Sequence, residues 1–151
     1  MTEPLAAADV PHWVDPASVF AARFSSEPHC FWLDAGPGAY EGWSWIGAGA
    51  REDPAHVMAT TCTPAAADRR RESPFRGGWV GWTGYDDAAA RAGAPAFDGA
   101  DGVPQDLWLR VDRLVAFDHA GRTVRVYAPP GAVDDLATAV AAARGTPAGP
   151  P

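Results

Sequence analysis

The stretch Pro74-Phe75-Arg76-Gly77-Gly78-Trp79-Val80-Gly81-Trp82-Thr83-Gly84-Tyr85-Asp86 sets glycines at 77, 78, 81 and 84 among Trp79, Trp82 and Tyr85. The smallest and largest side chains thus share one short segment. This pattern predicts a strand whose glycines let another backbone come close while its aromatics fill a core. A phosphate-cradling loop would need G-x-G-x-x-G spacing or a Lys after the glycines; neither is present, which sets nucleotide binding aside.

Downstream of this strand, Asp86-Asp87 is suited to cap a short Ala-rich helix over 87 to 92, ended by Gly93 and Pro95 and followed by a Gly/Pro/Asp loop to residue 104. Asp106 to Asp118 reads as a long strand, alternating through Leu107, Leu109 and Val111 before Leu114 to Phe117 become continuously apolar. His119 to Arg122 is a turn, and Thr123 to Ala128 returns antiparallel. Val133 to Arg144 places Val133, Leu136, Ala137 and Val140 on one face, acids in the first turn and Arg144 at the end, as an amphipathic helix does. Upstream, Asp15-Pro16 starts a helix to residue 24, packed by Phe20 and Phe24. Cys30 to Ala35 is expected as a core strand, and Trp43 to Ala48 as its hairpin partner, with Trp43 and Trp45 on one face. His56 to Thr60 is read as a strand, and 64 to 73 as a polar loop. The fold class is α+β: antiparallel sheets packed with a few short helices. Residues 1 to 11 are expected to be loose, 12 to 144 to form one domain, and the Gly/Pro-rich 145 to 151 to be a disordered tail or linker.

Composition narrows the function classes. In 151 residues, 47% hydrophobic, seven Trp and six Phe suffice for a core. Twelve Arg without any Lys, against nineteen Asp plus Glu, give a net charge of −7. An acidic chain with no basic stripe argues against nucleic acid or an anionic membrane as partner, and Arg69-Arg70-Arg71 reads as a solvated linker. No run is long and apolar enough for a span and no signal peptide opens the chain, so a cytoplasmic protein is expected. Cys30 and Cys62 then read as free thiols.

Chemical motifs are few: there is no G-x-S-x-G, no H-E-x-x-H and no C-x-x-C. His29-Cys30 and His56 with Cys62 lack metal-ligand spacing, so no metal site is expected. His119 sits in a hairpin turn and reads as solvated or bonded to backbone rather than as a base. Asp34, beside Trp32 and Leu33, reads as a strand-end acceptor of backbone hydrogen bonds ahead of any catalytic role.

Residues 74 to 86 resemble the P-F-x-G-G-x-x-G-x-x-G-Y-[DE] signature in the amino-terminal part of the large subunits of anthranilate synthase and aminodeoxychorismate synthase. Phe31-Trp32-Leu33-Asp34-Ala35 and Trp43-Ser44-Trp45-Ile46-Gly47 are similar to that family's F-x-L-[DE]-S and R-Y-S-F-[IL]-G elements. Pro104 to Trp108, Arg113 to His119 and Thr123 to Tyr127 resemble its later strands, ending in F-D-H. The Gly84-Tyr85-Asp86 ending and the short Phe117-Asp118-His119 hairpin look closer to the aminodeoxychorismate (para-aminobenzoate, folate) branch. Residues 48 to 73 are fewer than the family usually carries there.

The resemblance implies a non-catalytic amino-terminal half that is inactive alone. Chorismate and Mg²⁺ would be held by a separate chorismate-binding catalytic part, with ammonia from a glutamine amidotransferase subunit. It also implies a degenerate tryptophan-type pocket at Asp34, Ala35, Tyr40, Trp43 and Ser44. The family's Ser is Ala35 here and its Arg is Gly42, each removing a ligand partner and counting against tryptophan. Trp43 and Trp45 are read as filling that space ahead of touching a ligand. A free-standing module for a small aromatic ligand and a decayed remnant are the alternatives.

Overall fold

The structure, a computed structural model, describes residues 4–60, 73–95, 104 and 106–143. In chain order these form β1 (Ala6–Val10), α1 (Pro16–Arg23), β2 (Cys30–Leu33), β3 (Trp43–Glu52), α2 (Pro54–Ala59), β4 (Gly78–Thr83), α3 (Tyr85–Arg91), β5 (Asp106–Asp118), β6 (Thr123–Ala128) and α4 (Val133–Ala142). All six strands join one antiparallel sheet in the order β1-β6-β5-β3-β2, with β4 also paired to β5. The α+β architecture expected from the sequence is the one observed.

β5 organises the sheet. One of its edges is paired with β3 along nearly its whole length, from Trp108 opposite Glu52 to Asp118 opposite Trp43. The other edge is shared: Asp106 to Val111 pair with β4, and Leu114 to Asp118 pair with β6. Between them the β3 register slips, Ala48 facing Arg113 and Gly49 facing Val111, so Asp112 is an extra residue bulged out of the ladder. A notch is left in the sheet where β5 changes partner. Gly49 makes the crossing possible, because a Cβ there would lie 2.1 Å from the Arg110 carbonyl oxygen.

The two sheet faces are unlike. Ile46, Val115, Phe117, Val124 and Val126 are fully buried under Val19 and Phe24 beside α1 and Leu136 and Val140 of α4. Leu109, Val111, Leu114, Ala116 and Tyr127 form the opposite core, against which Trp43, Trp45, Phe75 and Val80 are only partly buried. Helices cover the first face. Asp15 caps α1 through Ser18 N at 2.9 Å, with Pro16 in the first turn, as expected.

Several expectations need correction. Residues 6 to 10 are not loose: Ala6, Ala8 and Val10 alternate onto the helix-covered face and β1 pairs with β6. Residues 54 to 59 are helix rather than strand, because Asp53 accepts from Ala55 N at 2.8 Å and Pro54 presets the first turn. β3 runs on to Glu52 instead of ending at Ala48. β2 stops at Leu33, and Trp32 and Leu33 are exposed, so it is an edge strand contributing Phe31 to a core. α3 begins at Tyr85, so its cap position falls on Gly84, which makes no side-chain bond, and not on the Asp86-Asp87 pair expected from the sequence. In the glycine-aromatic stretch, close approach occurs at Gly81, where a Cβ would meet the Leu107 carbonyl at 2.3 Å. Of its aromatics Phe75 packs against a core, but the three set among the glycines do not fill one: Trp79 is half-buried, Trp82 is exposed and Tyr85 is 85% exposed. Cys62, the Arg69-Arg70-Arg71 run, Arg144 and the 145 to 151 tail lie outside the described residues.

Candidate functional site

Ser44 is the meeting point of the two motif elements upstream of the glycine-aromatic strand. The β3 alternation turns its side chain to the helix-covered face, where it is completely buried. Its Oγ lies 3.0 Å from Ala35 N, 2.9 Å from Asp34 Oδ1 and 2.8 Å from His119 Nε2. The hydroxyl has one proton to give, and the carboxylate can only accept, so Ser44 donates to Asp34. It then accepts from the Ala35 amide and from His119, which assigns the proton to Nε2 of the imidazole. All three bonds of the hydroxyl are satisfied.

His119 is therefore neither solvated nor bonded through its ring to backbone, contrary to the reading from the sequence. It is 8% exposed. Its own amide donates to the Gly42 carbonyl at 3.1 Å, and its ring meets Trp13 edge-on at 5.3 Å. Arg122, the one non-glycine residue at positive φ among those described (52°), stacks over the Trp13 ring at 4.1 Å. The β5–β6 turn is closed by Asp118, whose Oδ1 accepts from Gly121 N at 3.0 Å. The glycine-rich connection from β2 to β3 is thus pinned to the β5–β6 turn through Ser44, His119 and Gly42.

Ser, His and Asp are the residue types of a hydrolytic triad, but the order here is different. In a triad the imidazole stands between acid and hydroxyl; here the hydroxyl stands between imidazole and acid and is sealed from solvent. The cluster positions backbone and has no open nucleophile. Among the described residues no group of His, Cys, Asp and Glu could hold a metal ion, and no helix is long and apolar enough to cross a membrane.

The five residues singled out in the sequence do not converge. Asp34, Ala35 and Ser44 are joined by hydrogen bonds. Asp34 accepts from a side chain, where backbone donors were expected. Tyr40 is 81% exposed in the connecting loop. Trp43 projects from the opposite face, where it stacks on Trp45 with ring planes 11° apart. It lines a cleft of about 420 Å³ with Ser73, Asp118 and Arg125. Trp45 Nε1 donates to Ser73 Oγ at 2.8 Å, and Ser73 donates to the Phe75 carbonyl at 2.5 Å, tying the glycine-aromatic stretch over that face. His119 was missed as a site residue, because what brings it to Ser44 is the register that sets Phe117 against Ser44, which leaves no mark in the local sequence.

No protein-family profile matches the chain. Among curated proteins it is similar to anthranilate synthase component 1 of Streptomyces coelicolor, 30% identical over 120 residues covering 74% of this chain and 24% of that protein. The chain thus spans about a quarter of the length of the curated relative it matches. This distant similarity supports the anthranilate synthase component 1 family and does not single out its aminodeoxychorismate branch.

Proposed function

We propose that the chain serves as the amino-terminal, sheet-building part of a chorismate-aminating subunit of the component 1 kind, in the aminodeoxychorismate branch, and acts there as scaffold. The observation that carries this reading is the 30% identity to anthranilate synthase component 1 over 120 residues. The Ser44 cluster agrees with it, since it joins the two upstream motif elements by hydrogen bonds that fix backbone and leave no group free for chemistry. A chorismate-binding catalytic part would supply the Mg²⁺ site, and a glutamine amidotransferase subunit the ammonia; both would be met in the cytoplasm. The half-buried aromatics of the face opposite α1 and α4, Trp43, Trp45 and Phe75, are a surface for the catalytic part.

Isothermal titration of the chain against a recombinant chorismate-binding part, followed by ammonia-dependent turnover of chorismate, tests this. Heat together with gain of aminodeoxychorismate formation is expected. Formation of anthranilate instead would move the chain to the other branch. Absence of both association and activity gain, with heat only from a small aromatic ligand, would replace the scaffold by a binding module.

A further inference from the structure

Strand β2, Cys30-Phe31-Trp32-Leu33, ends the order of the sheet and, among the described strands, pairs with β3 alone. No charged residue, proline or bulge interrupts its free edge. Trp32 and Leu33 are 38% and 44% exposed, on opposite faces by the strand's alternation. One bond fixes where the backbone groups point. Gly49 N donates to the His29 carbonyl at 3.2 Å, and Cys30 stands opposite Ala48, so His29, Phe31 and Leu33 turn their amides and carbonyls toward β3. Those of Cys30 and Trp32 therefore point outward from the edge, where a further strand would meet them.

The strand is complementary to itself. Two copies related by a two-fold axis perpendicular to the sheet keep their faces aligned, so directly opposed residues must belong to the same face. Centring the pair on Phe31 sets Cys30 of each copy opposite Trp32 of the other, and each such pair exchanges both of its N–H···O=C bonds, using every outward group of β2. The small Cys30 side chain leaves room beside the exposed Trp32. On the other face Phe31 meets its own copy and Leu33 meets His29. Pro28, the next outward position, has no N–H to give, so the ladder closes on the strand itself. Centring on Trp32 would instead set Cys30 against Asp34, an exposed acid past the end of the strand. The helices leave space for this pairing. α1 packs on β3, one strand in from the edge, so the two copies of α1 stand about 14 Å apart, three strand spacings, against 8–10 Å for helices in contact. Phe20 and Trp32, stacked at 5.3 Å, and their copies fill that interval. We propose that β2 is a dimerisation edge, pairing antiparallel about Phe31 with β2 of a second copy of this chain. The inference is independent of the scaffold role proposed above.

Sedimentation of the full chain alone over a concentration series tests this, and a monomer–dimer equilibrium is expected. Trp32→Pro removes an outward N–H from each copy without touching a bond to β3, and should weaken the dimer about tenfold or more. Leu33→Lys places a charge at the rim of the same edge and should weaken it as well, at a position exposed enough for the fold to tolerate the change; circular dichroism establishes that each variant is folded. The register has its own test. In a background of Cys30→Ala and Cys62→Ala, chains carrying His29→Cys and chains carrying Leu33→Cys should form a disulfide with each other on mixing and mild oxidation, since those positions face one another across the axis. A chain that stays monomeric at every concentration, or a dimer unchanged in a folded Leu33→Lys variant, would overturn the proposal. A dimer whose mixed cysteine chains do not cross-link would overturn the pairing about Phe31.

Discussion

Ser44 concentrates more consequence than any other polar side chain described. Replacing it by Ala leaves the Ala35 amide and the His119 Nε2–H without their acceptor, and a buried donor stranded in this way costs about 1 to 3 kcal/mol. Ser44→Ala is therefore expected to lose about 2 to 4 kcal/mol in urea unfolding, taking both donors together. Asp34→Ala should lose no more than about 1 kcal/mol, since the acid is exposed and water replaces it. A Ser44→Ala effect no larger than that of Asp34→Ala would mean that the hydroxyl is not the centre of the cluster. Gly49 gives a second prediction of a different kind. An added methyl would sit 2.1 Å from the Arg110 carbonyl oxygen and 3.0 Å from Val111 Cα, both backbone atoms that cannot rotate aside. Gly49→Ala should cost about 3 kcal/mol or more by overpacking. Gly131→Ala, with nothing within 4 Å of the new carbon, should be near neutral in the same denaturation assay.

Pairing of β1 with β6 is the element-level feature that periodicity alone did not announce. Its residues are Ala-Ala-Ala-Asp-Val, and alanines carry little strand preference; what holds them is the partner strand, with Ala8 opposite Val126 and Val10 opposite Val124. Asp9 and Arg125, directly opposite, add a two-pronged ion pair. The hydrogen bond from Arg125 holds the Asp9 pKa below its ordinary 3.8, with a smaller opposing effect of burial. A depressed carboxyl stabilises the fold fully above the unfolded value and loses that contribution as pH falls through its folded value. Asp9→Asn should thus cost less than about 1 kcal/mol at neutral pH, in keeping with an Asp9 side chain that is 71% exposed. The difference from wild type should shrink once the pH drops below about 4, vanishing further into acid, as followed by denaturation at stepped pH. A constant difference across that range would assign the effect to packing rather than charge. Where local chemistry was decisive, the sequence was readable: Asp15-Pro16 marked α1, and Asp53-Pro54 carried the same signal for α2, there outweighed by the apolar look of 56 to 60. The extent of β3 and the shared edge of β5 depend on partners far along the chain and left no local mark.

Across the whole molecule, one sheet face is closed by α1 and α4 while the other is carpeted by aromatics that remain partly open. Alternation in β5 and β6 revealed both faces in the sequence. What it could not reveal was that Ser44 and Trp43, adjacent in the chain, serve opposite faces with different partners, since that follows from the register of β3 on β5. Stability should follow the same division. Phe117, fully buried beneath the helices, is expected to cost about 3 to 5 kcal/mol when replaced by Ala, because the surrounding layer cannot collapse into the space. Phe75, edge-on to Phe31 and Trp45 but only partly buried, should cost less than half as much in the isolated chain. If the face opposite α1 and α4 receives the chorismate-binding part, the ranking reverses in association: Phe75→Ala then removes a contact from the new interface, weakening titration with that part about tenfold or more, while a conservative Phe117→Leu leaves it unchanged. Equal association by both variants would place the contact surface elsewhere on the sheet, and would leave the aromatic face to small ligands alone.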